Sequence, residues 1–265
     1  MKTLRKRVLD GELVTGTWLN LGSNITAEIA ARAGFDWVLI DLEHGSGSEA
    51  DLVSQLQAVD TTETLAIVRI AWNETPRFKR TLDMGPGGVM IPYVNTAEEA
   101  RQAVSSMRYP PRGVRGAARF HRANGYGQQF EPYFAEANDA LLTVVQIETA
   151  EAVANADAIA AVDGVDVLFV GPLDLSVSLG IMGQMQHPDF RVAVKRVIDA
   201  CAAHGKSPGI LLPGADMIAG AVEDGYRFLA AGSDGSAVAA GMKSLVSTFS
   251  EARNRLPAGV SITSR

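Results

Sequence analysis

The sequence predicts an α/β fold, a parallel (β/α)8 barrel of the TIM type, and three observations carry that prediction. β-rich and helix-like runs alternate from end to end, the pattern of parallel strands joined by helical crossovers. The β-rich runs number eight, at residues 16–21, 37–41, 65–70, 88–94, 141–148, 165–171, 208–213 and 228–232. Several of them are unbroken apolar stretches, such as Val-Leu-Phe-Val at 167–170, as expected for strands covered on both faces. The length of 265 residues suits one barrel domain spanning the whole chain, 1–265, better than two domains.

Taken in order, the elements justify themselves locally. The basic opening from Met1 to Arg7 is followed by no apolar run of signal-peptide length, and it reads as an N-terminal helix ahead of the barrel. The first strand leads into Leu21-Gly22-Ser23-Asn24, which lacks the glycine-rich phosphate fingerprint that the runner-up architecture, an open doubly wound sheet, would want. Strand two runs into Asp41-Leu-Glu-His-Gly45, and strand three closes on Val68-Arg69. Thr75-Pro76 reads as a capping hydroxyl before a proline at the first helical position, and Thr96-Ala-Glu-Glu99 as a capping box.

The segment 109–138 breaks the rhythm, with Gly113, Gly116, Gly125 and Gly127 set among arginines. It is expected to be a long loop leaving on the face opposite the chemistry, and loops of that length usually serve a function. Strand five ends in Gln146-Ile-Glu148 and strand six runs into Gly171-Pro-Leu-Asp174. The last helix, about 237–253, has no strand after it, so the series closes on a helix as a (β/α)8 series should. Cys201, the single cysteine, lies in a helix-like apolar run and reads as a buried structural thiol.

Composition narrows the class of function. Hydrophobic residues at 47% against 20% charged place the chain among folded globular proteins. A net charge of −6 argues against nucleic acid, whose binding rests on clustered Lys and Arg. No segment reaches the roughly 18 apolar residues of a membrane span. The expectation is a cytoplasmic protein acting on small molecules.

In such a barrel the reacting groups stand at strand ends and in the loops that follow them. Glu148 and Asp174 are 174 − 148 = 26 residues apart, about one βα unit, which puts two carboxylates on one rim. Together they suit a hard divalent cation that leaves positions open for water or substrate; alone, either acid reads as a helix cap. Arg69 ends an apolar strand and needs a carboxylate or an oxyanion to offset its desolvation. His44, three residues after Asp41, is a candidate proton-transfer group if that carboxylate orients it. Glu43 reads equally as a helper or a solvated acid, and Trp18 as core packing or as the pocket mouth. His121, His187 and His204 receive no role. Asp83 follows a helix and belongs to the bottom face.

The motifs also resemble those of the HpcH/HpaI family of metal-dependent pyruvate aldolases, of which 4-hydroxy-2-oxoheptanedioate aldolase is a familiar type. The resemblance spans nearly the whole chain and rests on Gly16-Thr-Trp-Leu, Phe35-Asp-Trp-Val-Leu-Ile-Asp-Leu-Glu-His-Gly45, Val68-Arg69, Gly88-Val-Met-Ile-Pro92, Arg112-Gly-Val-Arg-Gly116, Gln146-Ile-Glu148 and Gly171-Pro-Leu-Asp-Leu-Ser176. It implies a metal (Mg²⁺, Mn²⁺ or Co²⁺) on Glu148 and Asp174, Gln146 beside the ligand, and Arg69 on the keto or enolate oxygen. It further implies that His44, paired with Asp41, handles protons, and that backbone amides at Leu173 and Asp174 hold the pyruvate carboxylate. In the family the last helix is exchanged between subunits in a hexamer, a trimer of dimers, and an acid matching Asp83 approaches a neighbour's histidine. Departures at 117–122 and the bulky pocket candidates Leu173 and Leu212 concern the aldehyde partner. Aromatic catabolism is the setting this resemblance suggests.

The reaction so implied is reversible cleavage of a 4-hydroxy-2-oxo acid to pyruvate, or a related 2-oxo acid, and an aldehyde. A Schiff-base route would need a lysine at a strand end, and Lys79, Lys195, Lys206 and Lys243 all fall in helices or connections. Two alternatives stand beside it: decarboxylation of a 2-oxo diacid or acyl-CoA lysis at the same site, and a noncatalytic barrel that binds oxo acids.

Overall fold

In the computed structural model, which describes residues 3–254, eight parallel strands close into a barrel in chain order. The outermost residues of the predicted domain, 1–2 and 255–265, lie outside the described residues. A short helix α1 (Leu4–Leu9) precedes β1 (Val14–Leu19), α2 (Asn24–Arg32), β2 (Trp37–Asp41), α3 (Glu49–Val59), β3 (Leu65–Arg69) and α4 (Thr75–Asp83). Then come β4 (Gly88–Ile91), α5 (Ala97–Met107), α6 (Phe130–Ala140), β5 (Leu142–Ile147), α7 (Ala150–Ala154), α8 (Ala156–Ala160), β6 (Val167–Val170) and α9 (Pro172–Ser178). The series ends with α10 (Pro188–His204), β7 (Ser207–Leu212), α11 (Ile218–Glu223), β8 (Phe228–Ser233) and α12 (Asp234–Asn254), and β8 pairs back onto β1.

All eight predicted strands form, but six of them stop one to three residues short of the predicted end, where the chain leaves the ladder for the βα loop. The largest overshoot is at β4, which ends at Ile91 rather than at 94. Two local readings are corrected. The residue before α4 is Glu74 and makes no side-chain cap; Thr75 is already helical, and its hydroxyl meets Ser106 Oγ at 2.9 Å instead. The segment 109–138 is not a bare loop: it holds a single 3-10 turn at Arg122–Asn124 and most of α6. There Phe130, Phe134 and Ala137 recur at helical spacing, with Phe130 stacked on Phe134 and Phe134 tilted against Tyr109. The box at Thr96 and Glu99 forms as predicted, and a second one, Ser48 with Asp51, opens α3.

Side chains alternate between two layers, as the period of two along a strand requires. One phase fills the barrel interior with Trp18, Trp37, Leu39, Ile67, Met90, Val144, Phe169 and Phe228. The other phase packs outward against the helices, for example Val38, Ile40 and Val68 with Leu52 and Leu56 of α3. The interior is filled rather than hollow: the Trp37 and Phe228 rings stack at 4.2 Å. Room for Trp37 comes from Gly16, where a Cβ would sit 2.3 Å from the indole. At the bottom, Leu4 and Val8 of α1 plug the interior, and Arg5 is tied to Asp166 at 2.9 Å.

Candidate active site

The interior phase that holds Trp18, Leu39, Ile67 and Val144 arrives at the C-terminal rim as Trp18, Asp41, Arg69, Gln146 and Glu148. Asp41 and Arg69 are register partners on β2 and β3, so neighbouring strands point opposite charges at each other. The fork closes in full: Arg69 Nε donates to Asp41 Oδ1 at 2.9 Å and Nη2 to Oδ2 at 2.7 Å. Nη1 lies 2.7 Å from Glu43, and the guanidinium carbon stands 4.3 Å over the Trp18 ring. With only 4% of its surface exposed, Arg69 is held in one orientation by two acids and an aromatic face.

This arrangement corrects one expectation. The Asp41 carboxylate does not orient the His44 ring; it accepts the backbone N–H groups of Glu43 and His44 at 3.0 and 3.3 Å and spends its other valences on Arg69. The His44 side chain is 67% exposed, and its nearest acid is Glu43, 3.8 Å from Nε2. Glu43, half-buried, has its carboxyl pushed up by desolvation despite the opposing pull of Arg69.

Across the rim, Glu148 follows β5 and is 2% exposed. It accepts Gln146 Nε2 at 2.6 Å and the Tyr93 N–H at 3.2 Å. Burial, with repulsion from Asp174 and Glu43, overrides these contacts and raises its carboxyl to about 7. The acid lies across the end of β6 because residue 171 is glycine, where a Cβ would meet Glu148 Oε1 at 2.4 Å. Asp174, in the first turn of α9, accepts the Tyr93 hydroxyl at 3.4 Å, so Glu148 and Asp174 have Tyr93 as a common neighbour. Gln146 Oε1 and Trp18 Nε1 are buried with no protein partner.

Other predicted residues fall outside this group. Leu212 is not at the site: it packs outward in the layer between strands and helices, beside Ile210 and Phe190, while Leu211 takes the inward phase. Leu173 is 54% exposed on α9 at the edge of the rim. Asp83 ends α4 on the opposite face, 3.0 Å from Arg115 Nη2, which also meets the Tyr133 hydroxyl, with His121 Nε2 at 3.9 Å. Within one chain Asp83 therefore does not join the rim. Tyr93 was missed, because reading β4 through residue 94 placed it inside a strand rather than at a strand end. Of the described lysines, Lys6, Lys79, Lys195 and Lys243 lie in helices and Lys206 precedes β7, so none stands at the C-terminal end of a strand.

A closed (β/α)8 barrel whose C-terminal rim gathers buried acids around a fixed arginine is an enzyme architecture. The family model described as HpcH/HpaI aldolase/citrate lyase matches residues 14–240, and the chain belongs to that family. It is 46% identical over 219 residues to a 2-dehydro-3,6-dideoxy-6-sulfogluconate aldolase of Pseudomonas putida, covering 83% of this chain and 86% of that one. It is 43% identical over 234 residues to a 5-keto-4-deoxy-D-glucarate aldolase of Salmonella paratyphi C, covering 88% and 91%. The solved structure of a family member from Burkholderia cenocepacia J2315 superposes with a TM-score of 0.89 at 36% identity, covering 94% of this chain and 98% of that one. The protein is thus an enzyme of this family, a carbon–carbon lyase. No helix among the described residues is long and apolar enough to cross a membrane.

Proposed function

We propose that the chain is a divalent-metal-dependent aldolase that reversibly cleaves a 4-hydroxy-2-oxo acid to pyruvate, or a related 2-oxo acid, and an aldehyde. The observation that carries this reading is the charge balance of the rim. Glu43 lies close enough to Asp41 and Asp174, and Glu148 close enough to Asp174 and Glu43, for like charges to repel, with Arg69 the one buried cation among them. An anionic oxo acid entering such a rim meets net repulsion unless a cation is there to meet it.

The residues fit a hard cation. Among the described residues no three His, Cys, Asp or Glu side chains converge as a closed metal cage. Two carboxylates, Glu148 and Asp174, form a partial set that leaves the remaining positions to water and substrate. Glu148, whose burial penalises its charged form, is the donor such a cation would relieve. When bound, Mg²⁺, Mn²⁺ or Co²⁺ supplies positive charge that stabilises a developing enolate.

The protein's own groups do the rest. Arg69 offers N–H donors fixed by Asp41 to the keto oxygen, where negative charge builds as the bond breaks. Gln146 Oε1 and Trp18 Nε1, unpartnered in the rim, are an acceptor and a donor for ligand polar atoms. His44, exposed at the mouth, takes the proton of the 4-hydroxyl directly or through water. The C3–C4 bond then breaks, its electrons pass into the enolate, and the aldehyde leaves. Protonation at C3 gives the 2-oxo acid. Relatives named for deoxy keto sugar acids make that substrate class the first to assay.

The same reading pairs copies of the chain through their last helices. From Ser236 to Arg253 every described residue of α12 is exposed, among them Val238, Met242, Leu245, Val246 and Phe249. A helix so apolar needs cover, and a second copy in a hexamer built as a trimer of dimers supplies it. In such an assembly Asp83 would meet a neighbour's rim.

The test is pyruvate release from 4-hydroxy-2-oxo acids by protein stripped with EDTA and reloaded with each metal, with CO₂ release from oxaloacetate measured in parallel. Activity should vanish on stripping and return on loading. Full turnover by the metal-free protein would refute the metal requirement, and faster release of CO₂ than of pyruvate would refute the aldol assignment.

A further inference from the structure

Tyr93 is the residue that touches both rim acids across the β5–β6 gap. It follows β4 and Pro92, and its backbone is left-handed, with φ +51°. Among the described residues only Tyr126 shares a positive φ without being glycine, and a side chain there is strained unless its surroundings hold it. They do so here. The Tyr93 N–H donates to Glu148 Oε2 at 3.2 Å, and its carbonyl accepts Asn95 Nδ2 at 3.3 Å. The next N–H, of Val94, reaches the Gln146 carbonyl at 3.3 Å. Asn95 is anchored in turn by the Glu99 cap at 2.7 Å and by Asn155 Nδ2 at 2.8 Å. At the far end of the same residue, the phenol donates to Asp174 Oδ1 at 3.4 Å, and the ring leans on Trp72 at 5.9 Å.

We propose that Tyr93 is a positioning residue that sets the spacing of Glu148 and Asp174, holding the first through its strained backbone and the second through its hydroxyl. The proposal rests on the reading of those two acids as the cation's ligands. Its logic is that the ligands come from different βα units and share no direct bond, so their separation must be set by something that touches both. A phenol suits the task because it donates a hydrogen bond without bringing a positive charge that would compete with the cation. The left-handed turn is what lets one residue present its N–H to β5 and its side chain to α9.

The test is Mn²⁺ titration of the metal-stripped full chain by calorimetry, with the visible spectrum of the Co²⁺ form as a second readout. Tyr93→Phe is expected to weaken Mn²⁺ binding about tenfold and to alter the Co²⁺ spectrum, while the melting temperature of the metal-free protein stays at the parent value. Tyr93→Gly and Tyr93→Ala both lose the hydroxyl, but glycine keeps the left-handed turn at no steric cost, so it should bind Mn²⁺ more tightly than alanine. Glu148→Gln should bind none. Parent affinity and an unchanged spectrum for Tyr93→Phe would overturn the proposal while leaving the metal reading intact. A parent chain that binds no Mn²⁺ would overturn both.

Discussion

Glu148 gives the metal-free protein a pH dependence of predictable sign and size. Its carboxyl moves from an ordinary 4.5 to about 7 in the folded chain, so between those limits the folded state holds a proton that the unfolded chain has lost. Stability from this group is therefore fully present below 4.5, falls as pH rises through 7, and is level above that. The whole interval amounts to about 3.5 kcal/mol at about 1.4 kcal/mol per pH unit. Between about pH 5 and about pH 8.5, linkage with these two values gives a loss of about 2.5 kcal/mol. For a chain of this size that is about 5–10 °C in melting temperature. Because Glu148 is 2% exposed, solvent screening takes little from the figure.

Glu43 and Asp166 are also raised by burial and contribute in the same direction, so the assay is a difference. Calorimetric melts of EDTA-treated parent and Glu148→Gln should be run across that pH range. The variant should lose most of the slope, whatever its absolute stability. Its amide can satisfy only one of the two donors that Glu148 now accepts, Gln146 Nε2 and the Tyr93 N–H, and that costs about 1 kcal/mol at every pH. Parallel curves for the two proteins would refute the assignment of the titration to Glu148.

Arg69→Lys should lower kcat/KM about a hundredfold, because an ammonium cannot reproduce the two-point fork on Asp41; near-parent turnover in a steady-state assay would remove Arg69 from the chemistry. Asp41→Asn should slow turnover at least about tenfold by freeing that fork, yet leave Mn²⁺ affinity by calorimetry unchanged, and a matching loss of affinity would contradict the separation of the two halves of the rim. Gly171→Ala puts a methyl 2.4 Å from Glu148 Oε1 and should weaken Mn²⁺ binding at least about tenfold; unaltered binding would show that Glu148 is not confined there. Gly16→Ala drives a Cβ into the Trp37 ring and should cost about 1–3 kcal/mol in urea melts, whereas a neutral result would mean that the interior is looser than its stacking implies.

The barrel was legible because its evidence is repeated eight times over and each strand supports the others. The rim was legible where a polar residue ends an apolar strand, as at Arg69 and Glu148. What could not be read was pairing. Asp41 stands close in sequence to His44 but is a register partner of Arg69, and register is a property of two strands, not of one motif. Leu212 was misplaced by one position, since a strand's inward phase is set by its neighbours and shifts every side chain to the other layer when miscounted. Tyr93 was hidden because Ile-Pro-Tyr-Val continues the apolar look of β4 after its ladder has ended. The aromatic spacing of α6 was present in the sequence but masked by the glycines before it.

The separate halves of the rim explain why one arginine suffices there. A guanidinium carries five N–H donors, and three of those on Arg69 face Asp41 and Glu43, which leaves two for a ligand oxygen. Those acids cancel most of its charge, so Arg69 acts by direction more than by field: it is a rigid pair of donors braced against Trp18. The uncompensated acids sit on the other half: Glu148, whose burial penalises its charged form, and the half-buried Asp174. On the proposed metal reading, a site divided in this way is expected to bind an anionic oxo acid more tightly once a cation occupies the acidic half.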